Sequence, residues 1–204
     1  MAGKGGGEAI KILLITSNIH KAQEIRDIFY NLRPDAFLIE IEPGAKKPEI
    51  QSESLEEIAY TSLKSIIESL DTSKWHSIWV EDSRLFIEAL EGFPGPYSSY
   101  VLKKIGLKGI LKLLEGISNR RACYRAALAY TLGRSIGVER GELCGSIAHS
   151  PDSSEGFGYD PIFIPEGYGE TLARLGYTVK NMISHRARAV REAAAKILNF
   201  YRSL

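Results

Sequence analysis

Two carboxylates stand directly behind an apolar run in Ile78-Trp79-Val80-Glu81-Asp82-Ser83. Such a run predicts a buried strand, and acids at its end lie where open α/β sheets hold their ligands. A hard cation such as magnesium takes one or two protein carboxylates and completes its shell with water and substrate phosphates. Asp82 with one distant acid suffices for that, and Glu49, in the loop Pro48-Glu49-Ile50-Gln51, is the candidate second ligand. Both can equally be surface carboxylates, because separation along the chain does not fix separation in space.

Chemistry suited to an anion lies earlier, in Thr16-Ser17-Asn18-Ile19-His20-Lys21, where a strand is expected to give way to a helix. Free backbone N–H groups, two hydroxyls, an amide and an ammonium meet there, and Lys21 adds a full charge to the positive end of the helix dipole. The plainer alternative makes Ser17 or Asn18 an N-cap and Lys21 a solvated side chain. His20 has no evident partner and is expected to be exposed.

Two later segments offer groups that can hold a flat, polar-edged ligand. Gly156-Phe157-Gly158-Tyr159-Asp160-Pro161 combines close backbone approach at glycine with aromatic faces and an extended exit imposed by Asp-Pro. A tight corner with packed rings fits the same residues. Lys180-Asn181-Met182-Ile183-Ser184-His185-Arg186 brings a cation, an amide, a hydroxyl, an imidazole and a guanidinium to another expected helix start. Ser184 suits an N-cap. A Ser-His nucleophile is disfavoured because adjacent side chains seldom point at each other and no Gly-x-Ser-x-Gly elbow is present.

The elements that must position these groups follow from periodicity. Lys11 to Thr16 reads as a strand, and Ile19, Ala22, Ile25, Phe29 and Leu32 follow at helical spacing. Ala36 to Ile41 reads as a second strand. Ser54-Leu55-Glu56-Glu57 has capping-box form and opens a helix with Leu55, Ile58, Ala59, Leu63, Ile66 and Leu70 on one face. A separate short strand is expected over Leu85 to Leu90, then a helix over Tyr97 to Glu115 interrupted near Gly106. Alternation from Ala122 to Tyr130 predicts an antiparallel strand paired with Ser135 to Ala148, and Val190, Ala194, Ile197, Leu198 and Tyr201 form the stripe of a final helix. The order predicts a mixed α/β protein.

Composition narrows the partners. At 204 residues, 44% hydrophobic and 25% charged, the chain can bury one sizeable core. We expect a flexible tail over residues 1–9 and a single two-lobed domain over 10–204. The formal net charge of +1 argues against a broadly basic nucleic-acid surface, leaving only the local cluster Arg120, Arg121 and Arg125. No membrane span or secretory signal is recognisable. Cys123 and Cys144 lack CxxC spacing, so no disulfide framework or thiolate metal site is expected, and a reducing cytoplasm fits.

Taken in order, Thr16-Ser17-Asn18-x-x-Lys21, Glu81-Asp82-Ser83, Gly92-Phe93-Pro94-Gly95-Pro96-Tyr97-Ser98, Gly156 to Pro161 and Ser184-His185-Arg186 resemble the inosine triphosphate pyrophosphatase, or Ham1-like, family. The resemblance spans nearly the whole chain from Ile12. It implies an elongated α/β fold with a curved mixed sheet and two lobes flanking a substrate cleft. It also implies a magnesium-dependent homodimer that hydrolyses ITP, dITP and XTP to the monophosphate and pyrophosphate. Position by position, Thr16, Ser17, Asn18 and Lys21 fall in the triphosphate segment, Glu49 and Asp82 at the metal, and Asp82 at the catalytic acid. Ser83 falls at a substrate contact, and Phe157, Gly158, Tyr159, Asp160, Lys180, His185 and Arg186 fall at base- and substrate-binding positions.

Two departures add positive charge. Arg84 stands where the family usually has glycine, and Thr171-Leu172-Ala173-Arg174 where it usually has Thr-x-Ala-Glu. They keep open a second possibility, a nucleotide-binding protein without turnover. A nucleic-acid module resting on the three arginines is the third.

Overall fold

The apolar run Ile10–Ile15 forms strand β1, with all but one residue buried, as a strand covered on both faces requires. In the computed structural model, which describes residues 8–44, 50, 52–152 and 156–203, β1 leads into helix α1 (Ile19–Leu32). Strand β2 (Phe37–Glu42), helix α2 (Leu55–Ser69), strand β3 (Ser77–Ile87) and helix α3 (Ser98–Leu113) follow. Strands β4 (Arg121–Leu132), β5 (Ser135–Ile147) and β6 (Phe163–Pro165) precede helices α4 (Leu172–Ile183) and α5 (His185–Arg202). Residues 1–7 of the tail expected over residues 1–9, and Glu49, lie outside the described residues.

The strands form one mixed sheet in the order β2-β1-β3-β4-β5-β6. β1 pairs in parallel with β2 and β3, whereas β3–β4, β4–β5 and β5–β6 are antiparallel. Alternation sorts the core. Ile12, Leu14, Trp79, Leu128 and Tyr130 face α1 and α5, while Leu13, Ile15, Ile78, Val80, Ala127 and Ala129 face α2. The far end of the sheet is closed by α3 and α4 through Leu85, Val101, Ile110, Leu143, Phe163 and Leu172.

Several expectations change in detail. Glu81 and Asp82 do not end a strand, and Leu85 to Leu90 is not a separate one. β3 runs unbroken from Ser77 to Ile87, and Glu88–Leu90 is a 3-10 turn. The reason is pairing: β3 leaves β1 after the Ile15–Val80 pair but stays bonded to β4 as far as Ile87. The capping box is one-sided, since Ser54 Oγ accepts from Glu57 N at 3.2 Å while the Glu57 carboxylate accepts from Ser52 Oγ at 2.6 Å. Gly106 does interrupt α3, with φ 64°.

Cys123 and Cys144 form a disulfide, contrary to the expectation from spacing. They are direct cross-strand partners on β4 and β5, with Cα atoms 4.0 Å apart. Their reach is fixed by the hairpin register rather than by a sequence motif. With both cysteines paired, cysteine usage does not indicate a reducing compartment. The arginines at 120, 121 and 125 are engaged by protein groups: Arg120 by the carbonyls of Leu114, Ile147 and Ala148, Arg121 by Glu88 and Arg125 by Glu142.

Candidate active site

The cleft opens where the parallel half of the sheet meets the antiparallel half. Past Val80, β3 has no strand partner on its β1 side among the described residues, so side chains from both of its faces reach one space. Glu81 and Ser83 lie on the α1/α5 face, continuing the row of Trp79, and Asp82 and Arg84 lie on the α2 face, continuing that of Val80. The cavity has a volume of about 560 Å³, a size suited to a nucleotide-like ligand.

Its outer part is built on the start of α1. Asn18 is the N-cap, its Oδ1 accepting from the backbone N–H groups of His20 and Lys21 at 3.1 and 3.2 Å. Thr16, almost buried, accepts from Asn18 N at 3.2 Å and fixes the turn. Thr16, Ser17, Asn18 and Lys21 all line the cleft. Lys21 Nζ bridges the edge of β3, 2.9 Å from Glu81 Oε2 and 4.0 Å from Asp82 Oδ1. Arg84 Nη2 sits 2.8 Å from Asp82 Oδ2.

The inner part is an ion network in which acids and bases alternate. Glu24 accepts from both Lys180 Nζ and Arg186 Nη1. Lys180 also reaches Asp160 Oδ2 at 2.6 Å, and Arg186 reaches Glu81 Oε1 at 3.2 Å and Ser83 Oγ at 2.8 Å. Burial pushes the Glu24 and Glu81 carboxyls upward, but the adjoining cations outweigh it and hold both below the usual carboxylate range. Burial likewise lowers Arg186, and Glu81 and Glu24 more than reverse it. At Asp160 burial dominates and its carboxyl is raised despite Lys180. Both cations have their donors engaged by protein oxygens, so Lys180 and Arg186 hold the wall together as well as facing the cleft.

Asp160 shapes the Gly156 to Pro161 loop. It accepts from Phe157 N at 3.2 Å and from Tyr124 Oη at 3.4 Å, while Gly158 takes φ 69°, a conformation that an L side chain resists. The loop splits its aromatics. Tyr159 is core, its hydroxyl donating to Ser98 O at 2.6 Å and pushed up to about 12 chiefly by burial, so its ring is not a free stacking face. Phe157 is half-buried and stacks on His20, with centroids 4.8 Å apart. His20 is exposed, as expected, but it has a partner in Phe157 and helps form the mouth.

His185 forms the floor. Ser184 caps α5 by accepting from Ala187 N at 3.1 Å, and Gly141 allows β5 to press against that helix start. A Cβ at Gly141 would lie 1.8 Å from the His185 carbonyl oxygen. The His185 ring is 2% exposed and stacks on Tyr124 at 4.7 Å and 6°. Burial, with the Arg186 charge second, keeps it neutral by lowering its pKa well below the usual value. Neither ring nitrogen has a hydrogen-bond partner among the described residues.

Every sequence-derived site residue that the structure describes lines this one cleft. Glu24, Glu81's pairing role, His20 and Tyr124 went unread. A signal existed for Glu24: it occupies the buried face of α1 with Ala22, Ile25, Ile28 and Phe29, where an acid requires a partner. Arg174 does not line the cleft and pairs instead with Asp152 and Glu170. Asp82 fits a hard cation in donor type, presenting carboxylate oxygen to a space large enough for phosphate and water.

The fold is one seen in solved structures. A HAM1 protein from Coxiella burnetii superimposes with TM-score 0.76 at 26% identity, covering 93% of this chain and 99% of that one. The Ham1 protein of Staphylococcus aureus matches equally, covering 93% and 98%. The chain belongs to the Ham1 family, whose model matches residues 12–196. Among its curated relatives are the dITP/XTP pyrophosphatases of Pyrobaculum aerophilum, 47% identical over 93% of this chain and 97% of the relative, and of Ignicoccus hospitalis, 45% identical over 90% and 95%.

Proposed function

We propose that this protein hydrolyses non-canonical purine nucleoside triphosphates, among them ITP, dITP and XTP, to the nucleoside monophosphate and pyrophosphate. The observation that carries this reading is His185, a buried neutral imidazole whose two nitrogens have no hydrogen-bond partner among the described residues, at the floor of a cleft whose mouth carries phosphate chemistry. A neutral imidazole presents one donor and one acceptor. Leaving them unmade costs free energy that a ligand with a matching polar edge recovers. Hypoxanthine and xanthine bring a 6-keto acceptor where adenine has an amino donor, and sites built on such bonds discriminate by roughly 10⁴-fold or more. Phe157 and His20 offer the flat faces beside it.

At the other end, Lys21 and the start of α1 hold the phosphate chain, and Asp82 accepts the proton of a water that attacks the α-phosphorus. Asp82 and Glu49 would hold Mg²⁺, whose role when bound is to offset charge on the phosphate oxygens. Glu24, Lys180, Asp160 and Arg186 keep the inner wall rigid, so its donors are in place before the substrate arrives. We further infer a homodimer acting on the cytoplasmic nucleotide pool without nucleic-acid or membrane partners. Among the described residues no helix is long and apolar enough to cross a membrane.

The test is pyrophosphate release from ITP, dITP, XTP, ATP and GTP with Mg²⁺. Fast turnover of the first three with slow turnover of ATP is expected. Equal rates on ITP and ATP overturn the reading.

A further inference from the structure

Arg84 lines the cleft beside Asp82. It stands two residues from Asp82 on the same face of β3, so the two side chains are neighbours by strand geometry, and they pair at 2.8 Å. Its cross-strand partner is Arg125, a second cation, which lies over the Phe86 ring and itself takes the nearby acid Glu142 at 2.6 Å. The Arg84 Nε is buried in the cleft wall with no hydrogen-bond acceptor among the described residues. A guanidinium carries five donors in a rigid fork suited to phosphate. Arg84 therefore lines the cleft with a donor left over, beside the carboxylate that a metal would need.

We propose that Arg84 is an exchangeable phosphate ligand: it pairs with Asp82 while the cleft is empty and transfers its guanidinium to the polyphosphate when the substrate enters, uncovering Asp82 for the cation. This rests on the reading of Asp82 as the metal-holding acid. Arg84 then acts on two affinities with opposite sign. It weakens cation binding to the free protein by competing for Asp82, and it strengthens binding of a phosphate chain. The consequence is coupling, because each ligand relieves the competition that the other faces. An arginine fixed on Asp82 would lower activity; one that moves makes cation binding depend on substrate.

Two binding measurements on the full chain test this without turnover: Mn²⁺ affinity by electron paramagnetic resonance with no nucleotide present, and pyrophosphate affinity by calorimetry. For Arg84→Gln, Mn²⁺ is expected to bind several-fold tighter and pyrophosphate roughly tenfold weaker, as for loss of a charge-assisted bond. Arg84→Lys keeps the charge without the fork and is expected to fall between the two. Melting curves of both variants establish that they fold. If either affinity is unchanged in Arg84→Gln, the proposal is overturned. Should Arg84→Gln show both binding effects while the wild type releases no pyrophosphate from any triphosphate, the assignment of function fails while the role of Arg84 stands.

Discussion

The Glu24 carboxylate accepts a hydrogen bond from the Arg186 guanidinium across 162 positions of sequence, joining the first helix to the last behind the cleft. Both side chains are almost wholly buried, and Glu24 also carries Lys180. Removing one partner of a buried pair leaves an uncompensated charge, a larger loss than the net worth of the pair. Glu24→Ala is therefore expected to destabilise the protein by about 3–5 kcal/mol, read from denaturant unfolding. Glu24→Gln, which retains acceptor oxygen, should lose less.

Asp82 sits at the cleft edge rather than in the core, so its loss should separate chemistry from folding. One positioned base contributes about 10² to 10⁴ in rate, and Asp82→Asn is expected to lower kcat on ITP by at least the smaller factor. Its unfolding midpoint should stay close to that of the wild type. A variant that turns over ITP normally removes Asp82 from the mechanism.

His185 predicts a pH dependence with a definite sign. Its folded pKa lies well below the unfolded value of 6.5, so the unfolded chain binds a proton that the folded protein refuses. Stability is then full above 6.5 and is lost as pH falls through 6.5 toward the folded value, by at most about 1.4 kcal/mol per pH unit. Glu24 and Glu81, also lowered, add their losses only as pH falls below their ordinary value of 4.5. Urea unfolding on both sides of 6.5 should show the slope in the wild type and a flatter profile in His185→Phe, which keeps a ring against Tyr124.

Gly141 tests how α5 is seated. Because a Cβ there meets backbone 1.8 Å away, no side-chain rotation relieves it, and β5 or α5 must move. Overpacking of this kind typically costs about 1–3 kcal/mol, and Gly141→Ala is expected to show that loss in unfolding experiments. It should also weaken discrimination between ITP and ATP, since the clashing oxygen belongs to His185 itself. Unaltered discrimination would separate the seat of α5 from base recognition.

The disulfide closes a separation of 21 residues between Cys123 and Cys144. Closing a loop of that order is worth about 3 kcal/mol in the chain-entropy account, less here because the β4–β5 hairpin already restricts the segment. Intact mass with and without alkylation under non-reducing conditions should show no free thiol, and reduction should lower the melting temperature. Free thiols in the non-reduced protein would contradict it.

Local rules carried much of this protein into view. Strands β1 and β4, the Gly106 break, the Ser54 and Ser184 caps and the glycine-rich loop all depend on neighbours within a few residues, so type and spacing were sufficient. The ordered set of motifs likewise named the cleft-lining residues. What the tertiary structure decided were relations across long sequence distances. Whether acids at 81 and 82 end a strand depends on how far β1 extends beside β3, and whether two cysteines meet depends on the register of a hairpin. Residue type marks Lys180 and Arg186 as donors for a ligand; the fold gives both of them Glu24 as well. Sequence specified which charges exist, but their partners follow from burial, because a charge removed from water must find its counterion wherever the fold brings one within reach.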